Sequence, residues 1–177
     1  MNTLETLFSR KSVRSYTCQQ LPPEELETVL KAANAAPIAR GIYEAVHLTV
    51  VQNPQLLAEI DANGAAFFGN PSLTPLYYAP TLILVSSKRP APGMENVAYS
   101  NAAIVVHNMS LAAVELGLGQ CCIWGATMAL SKNEELVEAL HLPEGFVPCC
   151  SLILGKTEEK YEQRQISIER IGCDFIR

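Results

Sequence analysis

The sequence predicts one α+β domain, a sheet with helices packed on both of its faces. Three observations lead there. Ala79–Ser87 (APTLILVSS) and Val147–Gly155 (VPCCSLILG) are continuous apolar runs of strand length, suited to a sheet covered on both sides. Helical segments alternate with the strands, but without the strict strand–helix–strand rhythm of a parallel α/β sheet. The 177 residues contain no internal repeat, low-complexity tract or long linker, so a single domain over residues 1–177 is expected.

Taken in order, TLETLF opens the chain as a short helix and is followed by the basic stretch Arg10-Lys11-Ser12-Val13-Arg14. A second helix starts at Pro22-Pro23-Glu24-Glu25, because proline and acidic side chains suit a first helical turn. Leu26, Val29, Leu30 and Ala33 give it one apolar stripe, and Pro37 stops it. Val46–Val51 (VHLTVV) is rich in β-branched residues and reads as a strand. Pro54–Ala62 reads as a short helix, and residues 63–79 as loop with a helical turn or two. After the strand at Ala79–Ser87 and a loop at Lys88–Gly93, the longest helix runs from Val97 to Leu116. Its apolar residues occupy most faces, which predicts burial nearly all round. Gly117 and Gly119 are candidate C-caps. Cys121–Trp124 reads as a short strand or extended segment. Ser131-Lys132-Asn133-Glu134 reads as a capping box before the helix ELVEALHL, which Pro143-Glu144-Gly145 breaks. Past the strand at Val147–Gly155 the tail is more polar, and only ISIERI is periodic.

Composition narrows the function. Charged residues make up 18%, against about 25% in a typical soluble domain. So few charges cover an isolated globule poorly, which predicts a surface buried against another subunit. The net charge of −5 disfavours a general nucleic-acid binder. The apolar stretch from Asn101 to Gly119 is interrupted by His107, Asn108, Ser110 and Glu115, so no membrane span is expected. The first 16 residues hold no apolar run of a secretory leader, and a cytoplasmic protein with reduced thiols is expected.

Six cysteines include the adjacent pairs Cys121-Cys122 and Cys149-Cys150. Neighbouring side chains on a strand point to opposite faces, so neither pair is suited to chelate one metal. Buried thiols acting as small hydrophobes are expected instead, with no metal site. His47, His107 and His141 are scattered, and a structural role is expected for each. Walker A, GxGxxG, HExxH and GxSxG motifs are all missing, which argues against a dinucleotide fold, a zinc protease and a serine hydrolase. The cluster Arg10, Lys11, Arg14 is either a solvated charge patch or a phosphate site, since arginine presents a planar fork of donors and Ser12 adds a hydroxyl.

Five segments, in the same order along the chain, resemble the FMN-dependent nitroreductase family. They are Arg10–Tyr16 (RKSVRSY), Ala32–Pro37 (AANAAP), Ala79–Val85 (APTLILV), Asn108–Gly125 (NMSLAAVELGLGQCCIWG) and Leu140–Gly155 (LHLPEGFVPCCSLILG). The resemblance implies a nitroreductase-like α+β fold, a central and mostly antiparallel sheet flanked by helices. It implies an intertwined homodimer with two FMN sites at the interface. Arg10 and Ser12 would hold the FMN phosphate and ribityl region, with Lys11 contributing through backbone or side chain. Arg14 would approach the pyrimidine edge of the flavin. Ile123, Trp124 and Gly125 match the segment whose backbone approaches the ring, and Arg164 matches a C-terminal arginine that returns to the phosphate. One departure stands out: Ile38–Ala45 (IARGIYEA) carries Gly41 where the family has an asparagine near flavin and substrate.

The activity so implied is NADH- or NADPH-dependent reduction of nitroaromatics, quinones or related electron-poor small molecules, by a ping-pong hydride mechanism centred on FMN. Such chemistry needs no protein catalytic triad, because the cofactor carries the reactivity. The alternatives are a flavin-binding protein for storage or sensing, and a specialised reductive enzyme for dehalogenation or flavin breakdown on the same scaffold.

Overall fold

The computed structural model describes residues 2–177. Six α-helices and four strands follow one another as α1 (Thr3–Ser9), α2 (Pro23–Asn34), β1 (Val46–Val51), α3 (Pro54–Phe67), β2 (Thr81–Lys88), α4 (Glu95–Glu115), β3 (Gly119–Ile123), α5 (Gly125–Leu130), α6 (Glu134–Ala139) and β4 (Phe146–Gly155). All strand pairs are antiparallel, in the order β1-β2-β4-β3. The apolar runs of β2 and β4 take the centre, where both faces are covered. One core lies between α2, α4 and the sheet, around Val29, Val105, Met109 and Leu152. A second lies on the opposite face under α3, α5 and α6, around Ile60, Leu84, Leu130 and Ile153. The expected α+β layering is therefore observed.

Several elements differ from their expected form. Helix α3 continues past Ala62 to Phe67, through Asn63-Gly64. Gly64 does not break the helix. A Cβ there would come within 2.9 Å of the Pro75 ring, so hydrogen is what lets α3 meet the 71–80 segment. The six-residue α5 was not expected, being too short to display a period. Asn133, not Ser131, caps α6, its side chain accepting from the Leu136 N–H. The Ser131 hydroxyl donates instead to the Met128 carbonyl in the preceding helix. At the end of α4, Gly117 adopts φ 71° and completes a Schellman turn, with Leu118 N–H donating to Ala113 O and Gly117 N–H to Val114 O. Gly119 opens β3 and is not part of that cap.

Helix α4 departs most from expectation. It is long and apolar enough to cross a membrane by length and composition, yet half of that stretch is packed inside the fold. The other half is open: Asn96, Tyr99, Ser100, Ala103, Ile104 and His107 are exposed at helical spacing. Hydropathy counts apolar side chains but not which of them meet neighbours in the same chain. Residues 157–177 add exposed apolar side chains in Ile168, Ile171, Phe175 and Ile176, with a 3-10 turn at Ile168–Arg170 inside the periodic ISIERI.

Alternation also fails at Cys149-Cys150. The β2–β4 register shifts between Val85, opposite Cys150, and Ser86, opposite Pro148. Cys149 is the extra residue of this bulge, so both thiols join the same core. Cys121 and Cys122 do alternate, one buried and one exposed.

Candidate functional site

The basic loop after α1 runs along the outer edge of β3. Val13 N–H donates to the Gln120 carbonyl at 2.8 Å, and the buried Gln120 amide donates to the Lys11 carbonyl at 2.7 Å. Gln120 Oε1 in turn accepts from the Ser110 hydroxyl of α4 at 2.7 Å. Tyr16 anchors the other end of the loop. Gly119 and Gly155 are cross-strand partners, and a Cβ on either would come within 3.0 Å of the Tyr16 ring. The two glycines thus make a flat seat for Tyr16, whose hydroxyl donates to the Val13 carbonyl at 2.6 Å. Burial raises the Tyr16 phenol above its ordinary range, so it remains a donor.

This frame fixes the backbone of residues 11–16 and leaves the arginine head groups without carboxylate partners. Among the described residues, Arg10, Arg14 and Arg164 form no ion pair. Lys11 differs, with its ammonium 2.7 Å from Glu159. Arg164 lies 154 residues after Arg10, yet its guanidinium donates to the Arg10 carbonyl and, at 3.1 Å, to the Phe8 carbonyl. Arg10 lies close enough to His107 on α4 and Cys122 on β3 to act on both electrostatically. Burial first, then Arg10, lowers His107 below its ordinary value, favouring the neutral ring at pH 7. Nearby, Tyr161 is pushed up to about 12, mainly by burial, and its hydroxyl donates to Leu118 O at 2.7 Å.

At the far end of β3 the chain turns into α5. The Ile123 carbonyl accepts from Thr127 Oγ1 at 2.9 Å and from Ser151 Oγ at 3.2 Å, fixing that turn. Ile123's side chain is buried in the second core, so only its backbone faces outward chemistry. Trp124 is exposed, its ring centroid 6.3 Å from that of Tyr99 on the open face of α4. Gly125 is closely approached by the half-exposed Phe68 ring, from which a Cβ would lie 2.9 Å. The departing segment at Gly41 forms a left-handed pair with Arg40 (φ 60° and 68°) beside α4, where Ala39 N–H donates to the Asn101 side chain.

Neither of two large clefts, about 790 Å³ beside α6 and about 740 Å³ beside α3, is lined by Arg10, Arg14 or Arg164. Of the three, Arg10 acts on the open face of α4 at His107, Arg14 lies over Tyr77, and Arg164 reaches the Phe8 and Arg10 carbonyls. Sequence reasoning missed Gln120, Ser110, Tyr16 and Phe68 as supports. A glutamine inside the otherwise apolar run GQCCI was the available signal for the first. Among the described residues, no group of three or more His, Cys, Asp or Glu is placed to hold a metal.

The cysteine environment predicts a pH response. Burial first, then the neighbouring thiols, pushes Cys150 up to about 11, while an unfolded thiol ionises near ~8.5. Between these values the folded chain keeps a proton that the unfolded chain has lost. Its contribution is complete below the unfolded value and is lost as pH rises toward 11. The thermal midpoint should therefore fall from pH 8.5 upward, and Cys150→Ala should flatten that slope while lowering stability at every pH. Parallel slopes in the two proteins would contradict the assignment.

An antiparallel sheet between two helical layers, with a basic loop along its β3 edge, defines an α+β fold. A sequence model of the nitroreductase family matches residues 7–156, and the chain belongs to that family. It is 30% identical over 169 residues to an FMN reductase (NADPH) of Bacillus subtilis, covering 87% of this chain and 65% of that protein. This chain thus spans slightly less than two thirds of that relative's length. Among solved structures, an FMN-bound nitroreductase of Desulfitobacterium hafniense superposes with a TM-score of 0.85 at 25% identity, covering 99% of this chain and all of that one. An FMN-bound nitroreductase of Bacteroides fragilis gives 0.82 at 26% identity, covering 99% and 100% of the two chains.

Proposed function

We propose that residues 1–177 form one FMN-binding domain of a cytoplasmic, homodimeric NAD(P)H oxidoreductase. The observation that carries this reading is the Arg164 guanidinium reaching the backbone of the basic loop at Arg10, two residues before Ser12, with no carboxylate partner for either arginine among the described residues. The Arg10 fork, the donors of Arg164 not spent on the Phe8 and Arg10 carbonyls, and a hydroxyl suit one phosphate monoester, which fits FMN. Lys11, already paired with Glu159, contributes through its backbone. Arg14 supplies positive charge at the pyrimidine edge of the flavin, where a fixed cation favours the reduced, more negative form. The backbone of Ile123, Trp124 and Gly125 borders the ring, with Trp124 and Tyr99 keeping water from that side. When bound, FMN supplies hydride transfer from NADH or NADPH to a nitroaromatic, a quinone or another electron-poor small molecule, in ping-pong order.

The homodimer follows from the open face of α4 and from the tail. Ile104, Trp124, Ile168 and Ile171 are 38%, 62%, 93% and 82% exposed in the single chain, and a second copy would cover them. Light scattering at low micromolar concentration should give twice the 19.3 kDa chain mass. Ala103→Glu, which places a charge on the open face, should yield a monomer that has lost FMN; a flavin-loaded monomer would contradict the shared site. Activity is tested by steady-state oxidation of NADH or NADPH with a quinone or nitroaromatic acceptor. Parallel double-reciprocal lines are expected. Intersecting lines would overturn the ping-pong order, and no consumption by FMN-loaded protein would overturn the enzyme reading. The six free cysteines suit a reducing compartment.

A further inference from the structure

We propose that Tyr77 is a positioning residue for Arg14, holding the guanidinium in place by its aromatic face without neutralising it. The inference rests on the reading above that Arg14 serves the pyrimidine edge of FMN.

Arg14 is exposed, and its guanidinium carbon lies 5.6 Å from the centroid of the Tyr77 ring. That is cation–π distance. The choice of partner matters. This chain holds more acids than bases, and Lys11, three residues earlier, is paired with a carboxylate. A carboxylate beside Arg14 would restrain it equally well but would cancel its charge and repel electron density arriving on the flavin. An aromatic face restrains the cation and leaves its charge available.

The backbone at Tyr77 is built for this placement. Tyr77 and Tyr78 have φ of 51° and 58°, consecutive left-handed residues, a conformation unfavourable for a bulky L-residue. The surrounding turn enforces it. Tyr77 N–H donates to the Thr74 carbonyl at 2.9 Å, and Ala79 N–H to the Leu76 carbonyl at 2.9 Å. Leu76 N–H donates to the Asp61 carboxylate of α3 at 2.6 Å, tying the turn to a rigid helix. Tyr77 packs on the second core, which also contains Ile123, so Arg14 is referenced to the same body as the Ile123–Gly125 segment. The chain of support runs from α3 through Asp61 and Leu76 to Tyr77, and from Tyr77 to Arg14.

Tyr77→Gly removes the ring and suits the left-handed backbone, so it separates positioning from folding. Tyr77→Asn, also tolerated at positive φ, is the second variant. Three measurements apply. In the FMN-free protein, the Arg14 Nε–H resonance, assigned by its loss in Arg14→Ala, should move to the position of a free arginine in Tyr77→Gly. In the FMN-loaded protein, both Tyr77 variants should lower the flavin midpoint potential in the same direction as Arg14→Ala. They should also slow its reduction by NADPH about three- to tenfold at saturating FMN, the loss expected for one cation–π contact. In the Arg14→Ala background, Tyr77→Gly should change neither quantity further. An unmoved resonance overturns the contact. An unchanged potential in the Tyr77 variants, or effects additive with Arg14→Ala, overturns the positioning role while leaving Arg14 in place. An unchanged potential in Arg14→Ala itself overturns the placement of Arg14 beside the flavin, and the role of Tyr77 with it.

Discussion

Replacing Arg14 by alanine should lower the midpoint potential of bound FMN and slow its reduction, and added FMN should not restore the rate. Among the described residues the guanidinium meets no carboxylate, and it rests over the Tyr77 ring, so in the proposed site its full charge is available where the flavin becomes negative. Losing one charge-assisted interaction with the reduced form, about 1.5–3 kcal/mol, corresponds to about 30–65 mV for a two-electron couple. Oxidised FMN should bind only somewhat worse. Arg10→Ala should fail differently. Arg10 sits with Arg164 at the proposed phosphate end, and its loss should weaken FMN binding about tenfold to hundredfold. Excess FMN should then recover most of the turnover, with the potential unchanged. Titrating both variants with FMN, and measuring potential and reduction rate at saturation, separates the two roles. Full recovery of rate and potential in both would remove Arg14 from the ring.

The largest stability effect is expected at Gln120. Its side chain is fully buried, spanning from the Lys11 carbonyl to the Ser110 hydroxyl, while its backbone carbonyl holds Val13. Gln120→Leu preserves volume but leaves the Lys11 carbonyl and the Ser110 hydroxyl without these partners. Each such group costs about 1–3 kcal/mol, so a total of about 2–6 kcal/mol is expected from a stability of about 5–15 kcal/mol. The thermal midpoint should fall by about 5–20 °C. FMN affinity should fall with it, because the loop bearing Arg10, Ser12 and Arg14 loses its strut to α4. Adding Ser110→Ala should recover part of the loss, since it removes one orphaned group. An unchanged midpoint in Gln120→Leu would show that the loop is held by other contacts.

What could be read from the sequence follows physical range. Val46–Val51 matches β1 residue for residue, because a β-branched run between polar flanks is a local signal. The central strands were legible as unbroken apolar runs for the same reason. Gly64 could not be read correctly, since its meaning depends on Pro75 packing against it. The shared facing of Cys149 and Cys150 depends on a bulge that only pairing with β2 creates. The low charged fraction and the long apolar helix pointed to cover from another subunit, but which face of α4 stays open in the single chain could not be read, because hydropathy contains no partner. At the site, Arg10 and Arg14 stood out as cations in an acidic chain. Gln120 and Tyr77 did not, because one reaches Lys11 across 109 residues and the other reaches Arg14 through folding. Arg164 entered by family resemblance, and the fold brings it to Arg10.

Denaturing the purified protein and identifying the released chromophore by mass tests the FMN assignment most directly. The phosphate site proposed at Arg10, Ser12 and Arg164 predicts FMN at one per chain, retained by the native protein and bleached on addition of NADH or NADPH. Release of FAD, or a protein that stays colourless after incubation with excess FMN and removal of the unbound flavin, would contradict it.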